Sequence, residues 1–402
     1  MRVFVTGLCL QGNKGGPALA VSLRAQLERE FGHCDLTLSV PSRDIERERA
    51  WAEHYGVEVV PDFVLADVVP PYMFRDFSSR RARVGTWFRA LRRADVLVEL
   101  SAISYVGPPV GSTRSAMTHR FRYFVACRIA RRRFVAWTQS YGPFTTWPVR
   151  AMARLDLSRQ DIVFCRGDDC RDDVSSLLPR ARAESFPDVA TTMGFDVGRG
   201  AELLEAVGVH PGDVVVTLSP SAVLYAKSDG VGVANQHVRQ MREMVDKQVA
   251  AGRRVGLVPH TLRPDRPDPL VCDGAVCGLI LADTGPDVVY LDADLAAPDL
   301  KSVIANATVH VGGRYHSIIA ALSSGVPCLS LSWHPKYLDI MRMYGMEDFV
   351  IDGLGATTQR DVLIERLVNE RPQLSEQLLD RQPAVAAEVE RNAALFAGMI
   401  RQ

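Results

Sequence analysis

Short apolar runs rich in β-branched residues alternate along this chain with longer segments of helical period, and this alternation constrains the fold more than any other feature. In the first half the runs are RVFVTGLC, DLTLSV, VEVV, DVLVEL, FVAWTQS and DIVFCR. The segments between them predict helices near 17–30, 80–93, 114–132 and 168–178. Strands separated by helices pair in parallel, so the pattern predicts an α/β fold with parallel sheets.

The alternation stops once and then restarts. Residues 189–213 contain glycines and polar residues that interrupt it, and we interpret them as the connection between two domains. The later runs VVVTLSP, RVGLVPH, VVYLD, TVHVGG and PCLSLS predict a second parallel sheet. The helices predicted between these runs lie near 233–251, 298–306, 315–323 and 335–344.

The length of the chain supports a division into domains, because 402 residues are too many for one ordinary hydrophobic core. We predict two Rossmann-like domains that face a cleft, the architecture called GT-B in glycosyltransferases. The predicted boundaries are 1–195 for the amino-terminal domain, 210–375 for the carboxyl-terminal domain, and 376–402 for a helical segment that packs back across both.

Composition argues against several classes of protein. The formal net charge is zero, which gives no general attraction to nucleic acid. The longest apolar runs have about ten residues, half of what a membrane span needs. The eight cysteines form no Cys-x-x-Cys pair, so we expect buried reduced thiols rather than disulfides or a zinc site. The amino terminus does not read as a signal peptide, and we expect a cytoplasmic protein.

One region departs from the neutral total. Between Arg75 and Arg133 arginines far outnumber acidic residues, and aromatic and aliphatic residues recur among them. These arginines can lie on solvated helix faces, where their stems cover apolar surface. They can also form a basic, partly apolar surface that docks an anionic membrane or a lipid-diphosphate substrate. A peripheral position at the inner face of the membrane is therefore one expectation.

Polar residues gather where the predicted strands of the first half end, which is where doubly wound sheets bind ligands. The loop GLCLQGNKGGPALA places Asn13, Gly15 and Gly16 before a helix, so its backbone can approach an anionic ligand closely. Gln139 and Ser140 follow a later strand and offer amide and hydroxyl groups for sugar hydroxyls. Ordinary turns can explain both groups equally well.

Charged residues follow three further strands. Arg166 ends DIVFCR, Asp188 lies in FPDVATT, and His260 ends VGLVPH. Arg166 can be paired structurally or can contact a ligand. Asp188 can be a catalytic base or a cap, and His260 can be a structural histidine or part of a site.

The strongest signal is the stretch VHVGGRYHSIIAALSSGVPCLSLSWHPKY, at residues 309–337. Arg314 and His316 follow one predicted strand, and His334 and Lys336 follow the next. An arginine fork suits a carboxylate or phosphate, and a histidine can transfer a proton near neutral pH. Two adjacent strand ends with these side chains predict a pocket for a compact polyanion.

At these residues the sequence resembles the polysaccharide pyruvyl transferase family. The segments GNKGGPALA, TQSYGPF, IVFCRGDDC, FPDVA and LVPH also follow the order of that family. Four positions depart from the pattern: Gly16 replaces an Asp common in the family, Ser101 and Ala102 stand where glycines are frequent, and Cys170 replaces a Ser. The resemblance implies a GT-B-like fold and phosphoenolpyruvate (PEP) as the donor of a pyruvyl group, which becomes a cyclic ketal on two sugar hydroxyls while phosphate is released.

The resemblance and the residues together suggest roles. His316 is our candidate for the general acid and Asp188 for the base. On the donor side, in the carboxyl-terminal domain and its surroundings, we place Arg314, Lys336, Arg166, His260 and His334. On the acceptor side we place Asn13, Gly15, Gly16, Gln139 and Ser140. The scheme requires no metal and no cofactor, since PEP is a co-substrate.

Two alternatives stay open. A GT-B glycosyltransferase that uses a nucleotide sugar shares the fold, the glycine-rich first loop and a basic carboxyl-terminal cleft. A catalytically silent glycan-binding homologue is compatible with the altered glycines of the first half. The sequence does not identify the acceptor sugar, the pair of hydroxyls that is bridged, or the oligomeric state.

Overall fold

The structure is a computed structural model, and it describes residues 1–41, 45–63, 77–105, 110–282, 284–355 and 357–402. Parts of the arginine-rich region predicted between Arg75 and Arg133 lie outside the described residues, at 75–76 and 106–109. The chain divides into two compact units. The first comprises Met1–Gln11, Leu19–Val189 and Glu388–Gln402, and the second comprises Gly12–Ala18 and Ala190–Ala387.

A five-stranded parallel sheet, in the order β3-β2-β1-β4-β6, forms the centre of the first unit. The strands of this unit are β1 (Arg2–Thr6), β2 (Asp35–Val40), β3 (Glu58–Pro61), β4 (Val96–Glu99), β5 (Ile103–Ser104), β6 (Arg133–Ala136), β7 (Ser140–Tyr141), β8 (Val163–Arg166) and β9 (Ala183–Phe186). β4 is buried along its whole length, as expected of a strand in a parallel sheet that is covered on both faces. β5 pairs with β7 and β8 with β9, also in parallel.

The helices that follow these strands are α1 (Gly15–Phe31), α2 (Ile45–Tyr55), α3 (Phe77–Arg93), α4 (Val110–Ala130), α5 (Trp147–Leu157) and α6 (Asp168–Leu177). An aromatic cluster of the core anchors α3, since the fully buried Trp87 lies edge-on to Phe4 of β1 at 5.0 Å between ring centroids. The same indole stacks on Tyr123 of α4 at 5.7 Å. Helices therefore cover the five-stranded sheet as the sequence pattern predicts.

The second unit contains a six-stranded parallel sheet in the order β12-β11-β10-β13-β14-β15. Its strands are β10 (Val215–Ser219), β11 (Arg254–Leu257), β12 (Val288–Tyr290), β13 (Val309–Gly312), β14 (Cys328–Ser332) and β15 (Val350–Asp352). Its helices are α7 (Val197–Glu205), α8 (Ala222–Lys227), α9 (Gln236–Ala250), α10 (Asp273–Leu281), α11 (Ala297–Ala305), α12 (Tyr315–Ser323), α13 (Lys336–Met343), α14 (Thr357–Asn369) and α15 (Arg371–Arg401). The order reverses between β10 and β13, so polar residues at the ends of these central strands lie where such sheets bind ligands.

Residues 189–213, which we interpret as the connection between domains, contain helical elements that the sequence pattern did not predict. Val189–Thr192 form a 3-10 helix and Val197–Glu205 form α7. The Asp196 side chain caps α7 by accepting a hydrogen bond from the Arg199 amide at 3.2 Å. A side chain at Gly200 would overlap with the backbone of Ser302 in α11, so this glycine serves helix packing and does not interrupt a helix.

The last helix, α15, belongs to both units. Its residues as far as Ala387 lie in the second unit, and those from Glu388 onward lie in the first. In the first unit, Thr138 donates a hydrogen bond to the Asn392 side chain at 3.2 Å. The Phe396 ring meets the Trp137 ring edge-on at 5.1 Å.

Two further expectations concern reduced cysteines and the length of the apolar segments. Each of the eight cysteines is a free thiol, and all except Cys9 are buried. Among the residues that the structure describes, no helix is both long and apolar enough to cross a bilayer. The described residues also contain no group of three or more His, Cys, Asp and Glu side chains that could hold a metal ion.

Candidate active site

A buried ion pair between Arg314 and Asp273 forms the centre of the site in the second unit. Arg314 occupies the N-cap position of α12, directly after β13. Its Nε atom donates to both carboxylate oxygens of Asp273, at 3.0 and 2.8 Å, and Nη2 donates to the same group. Asp273 is fully buried and also accepts a hydrogen bond from the Ala222 amide at 2.8 Å. The carboxylate thereby ties together the N-terminal ends of α8, α10 and α12.

The pairing fixes the charge and the orientation of the Arg314 guanidinium. Burial alone would lower its pKa, but the charge of Asp273 raises the pKa above its usual value. The Nε–Nη2 edge is occupied by Asp273, whereas Nη1 donates to no partner within the described part of the chain. The side chain is 15% exposed. Arg314 therefore presents a second edge of the guanidinium to a ligand.

His316 lies two residues beyond Arg314, in the first turn of α12, and packs against the loop between β1 and α1, here called the first loop. A Cβ atom at Gly15 would overlap with the imidazole ring of His316, so only glycine fits at this position beside the ring. Gly15 is also the first residue of α1, and its amide donates to the Asn13 side chain at 3.0 Å. The first loop thus contacts the predicted general acid directly.

The first loop is held in the second unit by a short antiparallel bridge between Asn13 and Thr261. The Lys14 amide donates to the His260 carbonyl at 2.9 Å. The Lys14 side chain is 2% exposed and forms an ion pair with Asp294. Burial lowers the pKa of Lys14, although Asp294 acts in the opposite direction. Asn13, Gly15 and Gly16, which we assign to the acceptor, belong to the second unit, and that assignment stays a prediction.

Lys336 is the first residue of α13 and lies among three aromatic rings. Its Nζ atom is 4.9 Å from the ring centroid of Tyr315, 5.0 Å from that of Trp333 and 5.6 Å from that of Tyr337. Such cation–π contacts hold the side-chain nitrogen in place among the rings. The Lys336 amide donates to Nδ1 of His334 at 3.3 Å. Tyr315 also contacts the His316 ring, with 5.6 Å between centroids.

His260 is a buried histidine of this region. Its Nδ1 atom lies 3.3 Å from the Ser219 hydroxyl. Burial lowers its pKa far below the usual value, and the neighbouring His310, His316 and Arg314 lower it further. His260 is thus a neutral hydrogen-bonding group near neutral pH, and it brings no positive charge to the donor side.

Arg166 and Asp188 form a buried ion pair in the first unit. The Arg166 Nη2 atom is 3.0 Å from an oxygen of Asp188, and the two side chains are 2% and 0% exposed. Arg166 ends β8, and its Nη2 atom also donates to the Thr138 carbonyl at 3.4 Å. Two residues assigned to the site from the sequence, Arg166 and Asp188, therefore contact each other. Asp188 stays our candidate base, and in this arrangement its carboxylate is bound to an arginine and shielded from solvent.

Gln139 belongs to a buried polar network around Arg120. Arg120 Nη1 donates to Glu99 at 2.6 Å and to the Gln139 side-chain oxygen at 3.0 Å, while its Nε donates to Asp156 at 2.8 Å. The Gln139 amide nitrogen donates to the Glu99 carbonyl at 3.0 Å. Gln139 is fully buried, and the adjacent Ser140 is nearly so. Their assignment to the acceptor stays a prediction, and the structure gives Gln139 a structural role as well.

Sequence reasoning missed three of the carboxylates in these two regions. Glu99 ends β4 and Asp294 follows β12 closely, so the strand-end criterion that selected Arg166 would have found both. Asp273 begins a helix that the sequence pattern did not predict, and it lies 41 residues from its partner Arg314. Nothing local in the sequence marks that pairing.

Solved structures of the same fold include three that hold uridine nucleotides. UDP-GlcNAc 2-epimerase from Neisseria meningitidis bound to UDP-GlcNAc has a TM-score of 0.58 at 11% identity, over 100% of both chains. A ugt transferase from Siraitia grosvenorii in complex with UDP has a TM-score of 0.56 at 10% identity, also over 100% of both chains. The S. aureus MnaA-UDP co-structure has a TM-score of 0.55 at 11% identity, over 94% of this chain and 90% of that one. At such low identity the likeness shows the fold alone, and that fold is GT-B-like, as predicted.

The comparison with protein families is more specific. No curated protein matches the chain in sequence. The family model for polysaccharide pyruvyl transferase matches residues 109–335, more than half of the 402 residues. The matched range contains Arg314 and His316, and it ends one residue before Lys336. The chain therefore belongs to the polysaccharide pyruvyl transferase family.

Proposed function

We propose that this protein is a PEP-dependent pyruvyltransferase that modifies a sugar of a glycan or glycolipid. The observation that carries the proposal is the Arg314–Asp273 pair, because it fixes a charged guanidinium and leaves its Nη1 without a partner among the described residues. His316 lies beside this group in sequence and shares Tyr315 as a neighbour with Lys336. These are the charges and the proton donor required for transfer from a small donor that has two anionic groups.

The donor carries a carboxylate and a phosphate, which need separate partners. The open edge of Arg314 suits one of these groups, and the ammonium of Lys336 suits the other as a point charge. His334 lies next to Lys336 and can donate to the same anion. His260 is neutral, so we propose that it offers PEP a hydrogen bond and no charge. We also assign Arg166 to the donor side, as a further positive charge.

The proposed chemistry is an addition followed by a displacement. His316 gives a proton to the methylene carbon of PEP, and the first sugar hydroxyl bonds to C2 as it loses its proton to a base. The second hydroxyl then bonds to C2 and gives its proton to the deprotonated His316 as the C2–O bond to phosphate breaks. The proton taken up by the base leaves with the phosphate, so the products are a cyclic ketal and inorganic phosphate. We propose Asp188 as the base. The scheme uses no metal ion and no cofactor besides the co-substrate PEP.

We place this reaction in the cytoplasm, on a glycan or glycolipid of the cell envelope, and at the inner face of the membrane where the acceptor is linked to lipid. The proposed acceptor residues are those assigned from the sequence: Asn13, Gly15, Gly16, Gln139 and Ser140. Of these, Asn13 is exposed, whereas Gly15 and Gln139 are buried and already in contact with other groups. We infer that the glycines act through the position of the loop and not by touching the sugar.

The test is a calorimetric titration with PEP and, separately, with UDP, GDP and CMP. We expect saturable binding of PEP by the wild-type chain. Arg314→Lys should weaken that binding by about tenfold or more, because a point charge does not replace two parallel hydrogen bonds. Lysine also leaves a positive charge beside Asp273, which favours folding of the variant. Arg239→Lys is the matched control, since Arg239 is exposed on α9.

The outcomes separate the proposal from its rivals. Tight binding of a nucleotide without binding of PEP would assign the chain to nucleotide-sugar chemistry, as in the solved structures that carry UDP. Binding of PEP that releases no phosphate with any tested glycan or glycolipid would favour a catalytically silent homologue. Equal affinity for PEP in the wild type and in Arg314→Lys would refute the donor site.

A further inference from the structure

Helix α4 carries an apolar stripe on its exposed side. Phe121, Val125 and Ile129 are 54%, 37% and 62% exposed, and they follow one another at intervals of four residues. That spacing places them on one face of the helix. Apolar residues at this spacing usually form the buried face of a helix, but this face of α4 is exposed to solvent.

Helix α5 extends the stripe. Residues of α4 and α5 line one groove, with Phe121 and Phe124 on one side and Met152 and Leu155 on the other. Leu155 is 44% exposed, and Trp147 at the beginning of α5 is 79% exposed. We refer to the exposed residues of these two helices, between Phe121 and Arg159, as the α4–α5 face.

The charge of the α4–α5 face is strongly positive. The exposed arginines in the described part of the two helices and in the two residues after α5 are Arg128, Arg150, Arg154 and Arg159. The one acidic residue between positions 120 and 160 is Asp156, which is ion-paired with the buried Arg120 at 2.8 Å. Arg159 lies over the Phe124 ring at 5.5 Å, so cations and apolar groups are interleaved.

We propose that the α4–α5 face docks the protein on the surface of an anionic lipid bilayer. Exposed aromatic and aliphatic side chains on one face of a helix can enter the boundary between headgroups and acyl chains. Arginines at the same level are attracted by the negative headgroups of the leaflet. A bilayer satisfies both kinds of side chain at once.

Other occupants fit less well. A second copy of this chain would bring the same arginines face to face, and like charges across an interface are repelled. A nucleic acid would use the arginines but would gain little from Val125 and Ile129, which offer no ring for base stacking. The inference extends the sequence expectation, because the basic apolar surface continues past Arg133 into α5.

The experiment is co-sedimentation of the full-length chain with vesicles at low salt. Vesicles of phosphatidylcholine alone are compared with vesicles of equal parts phosphatidylcholine and phosphatidylglycerol. We expect binding to the anionic vesicles that weakens as salt is added. Arg150→Gln combined with Arg154→Gln should weaken binding by about fivefold for each arginine. Phe121→Ser combined with Ile129→Ser should also weaken it several-fold.

Matched control variants change exposed residues of the second unit. Val231→Ser with Val233→Ser controls for the apolar pair, since these valines are 79% and 49% exposed. Arg239→Gln with Arg371→Gln controls for the arginine pair, as both side chains are exposed. Both controls should bind vesicles as the wild type does.

Three results would overturn the proposal. One is a wild-type chain that binds neither kind of vesicle. Another is equal binding to neutral and anionic vesicles. The third is loss of binding in the arginine variant but not in the Phe121 and Ile129 variant, which would mean attraction to any polyanion. Since PEP takes no part in the assay, the outcome is independent of the proposed transferase activity.

Discussion

At the scale of single residues, the position of the Arg314 guanidinium depends on a carboxylate that takes no part in the proposed reaction. Asp273 binds the Nε–Nη2 edge of the guanidinium and is itself held by the Ala222 amide. A guanidinium with one edge fixed can rotate little about its side-chain bonds, so the other edge is ready for a ligand before the ligand arrives. Pre-organisation of this kind strengthens binding, because less conformational entropy is lost on association.

Asp273→Asn is the corresponding variant. Asparagine keeps one oxygen acceptor but loses the charge, so Arg314 would be held less firmly and a buried cation would lose its partner. We expect PEP affinity to fall by roughly tenfold and the free energy of unfolding to fall by about 3 kcal/mol. Calorimetry with PEP and urea unfolding measure the two effects.

Asp62→Asn is the control for Asp273→Asn. Asp62 pairs with the buried Arg122 at 2.5 Å in the first unit, so its loss should cost comparable stability. The Asp62→Asn variant should bind PEP with the same affinity as the wild type. If Asp273→Asn lost stability but kept its full affinity for PEP, Asp273 would be a structural residue only.

The residues of the site differ in how far the sequence could predict them. Arg314, His316 and Lys336 follow strands within one short stretch, so their position relative to the sheet is a local property. The partner of Arg314 is not local, because the turn that leads to Asp273 and the helix that begins there leave no periodic signal. The three rings around Lys336 are also a tertiary feature, although each ring lies within 21 residues of it in sequence.

At the scale of elements, the first loop contacts His316, and we predict that it holds the imidazole ring in position. Gly15 begins α1 and lies against the imidazole, and the Asn13–Thr261 bridge fixes the loop beside it. Gly15→Ala should therefore displace the His316 ring. A displacement of about 1 Å can slow catalysis roughly a hundredfold. PEP binding should change much less, since Arg314 and Lys336 keep their partners.

Gly278→Ala is the matched control for the loop variant. Gly278 lies within α10, and a Cβ atom there meets no atom within 4 Å. Release of phosphate from PEP and calorimetric affinity would be measured for both variants. Unchanged turnover in Gly15→Ala would mean that His316 does not need this contact, and our general-acid assignment would lose its structural support.

Elements also show where sequence patterns fail. Periodicity predicted most strands of both sheets, because parallel strands buried on both faces are continuous apolar runs. It missed α7, whose glycine serves close packing against α11 and whose cap is a single aspartate. A glycine in a sequence therefore signals either an interruption or a close contact, and only tertiary structure decides between them.

At the scale of the whole molecule, the alternating pattern predicted two parallel sheets, and the likeness to solved structures shows a GT-B-like fold. The order of strands within each sheet was not predictable, because periodicity fixes the type of an element and not its neighbour. The pattern also does not show that Gly12–Ala18 belongs to the second unit or that α15 belongs to both. These are consequences of contacts between residues distant in sequence.

Buried ionisable groups of the second unit should make the stability of the molecule depend on pH. Burial lowers the pKa of His237 and His310 from 6.5 to about 3 and that of Lys301 from 10.5 to about 7. In each case the unfolded chain binds a proton that the folded chain does not, over the interval between the two values. The free energy of unfolding therefore falls as pH is lowered from 10.5 to 7 because of Lys301, and again below 6.5 because of the histidines.

Lys301→Met separates the two intervals. The Lys301 side-chain nitrogen donates to the Met193 carbonyl at 2.6 Å and lies 5.2 Å from the Phe195 ring centroid, and methionine fills a similar volume without a titratable group. Urea unfolding at a series of pH values should show that the variant loses a slope of about 1.4 kcal/mol per pH unit above neutral pH. The decrease in the free energy of unfolding below pH 6.5 should persist.

Lys247→Met is the control, because Lys247 forms an exposed ion pair with Asp361, and it should leave the pH dependence unchanged in both intervals. An unaltered alkaline slope in Lys301→Met would mean that Lys301 keeps its proton in the folded state.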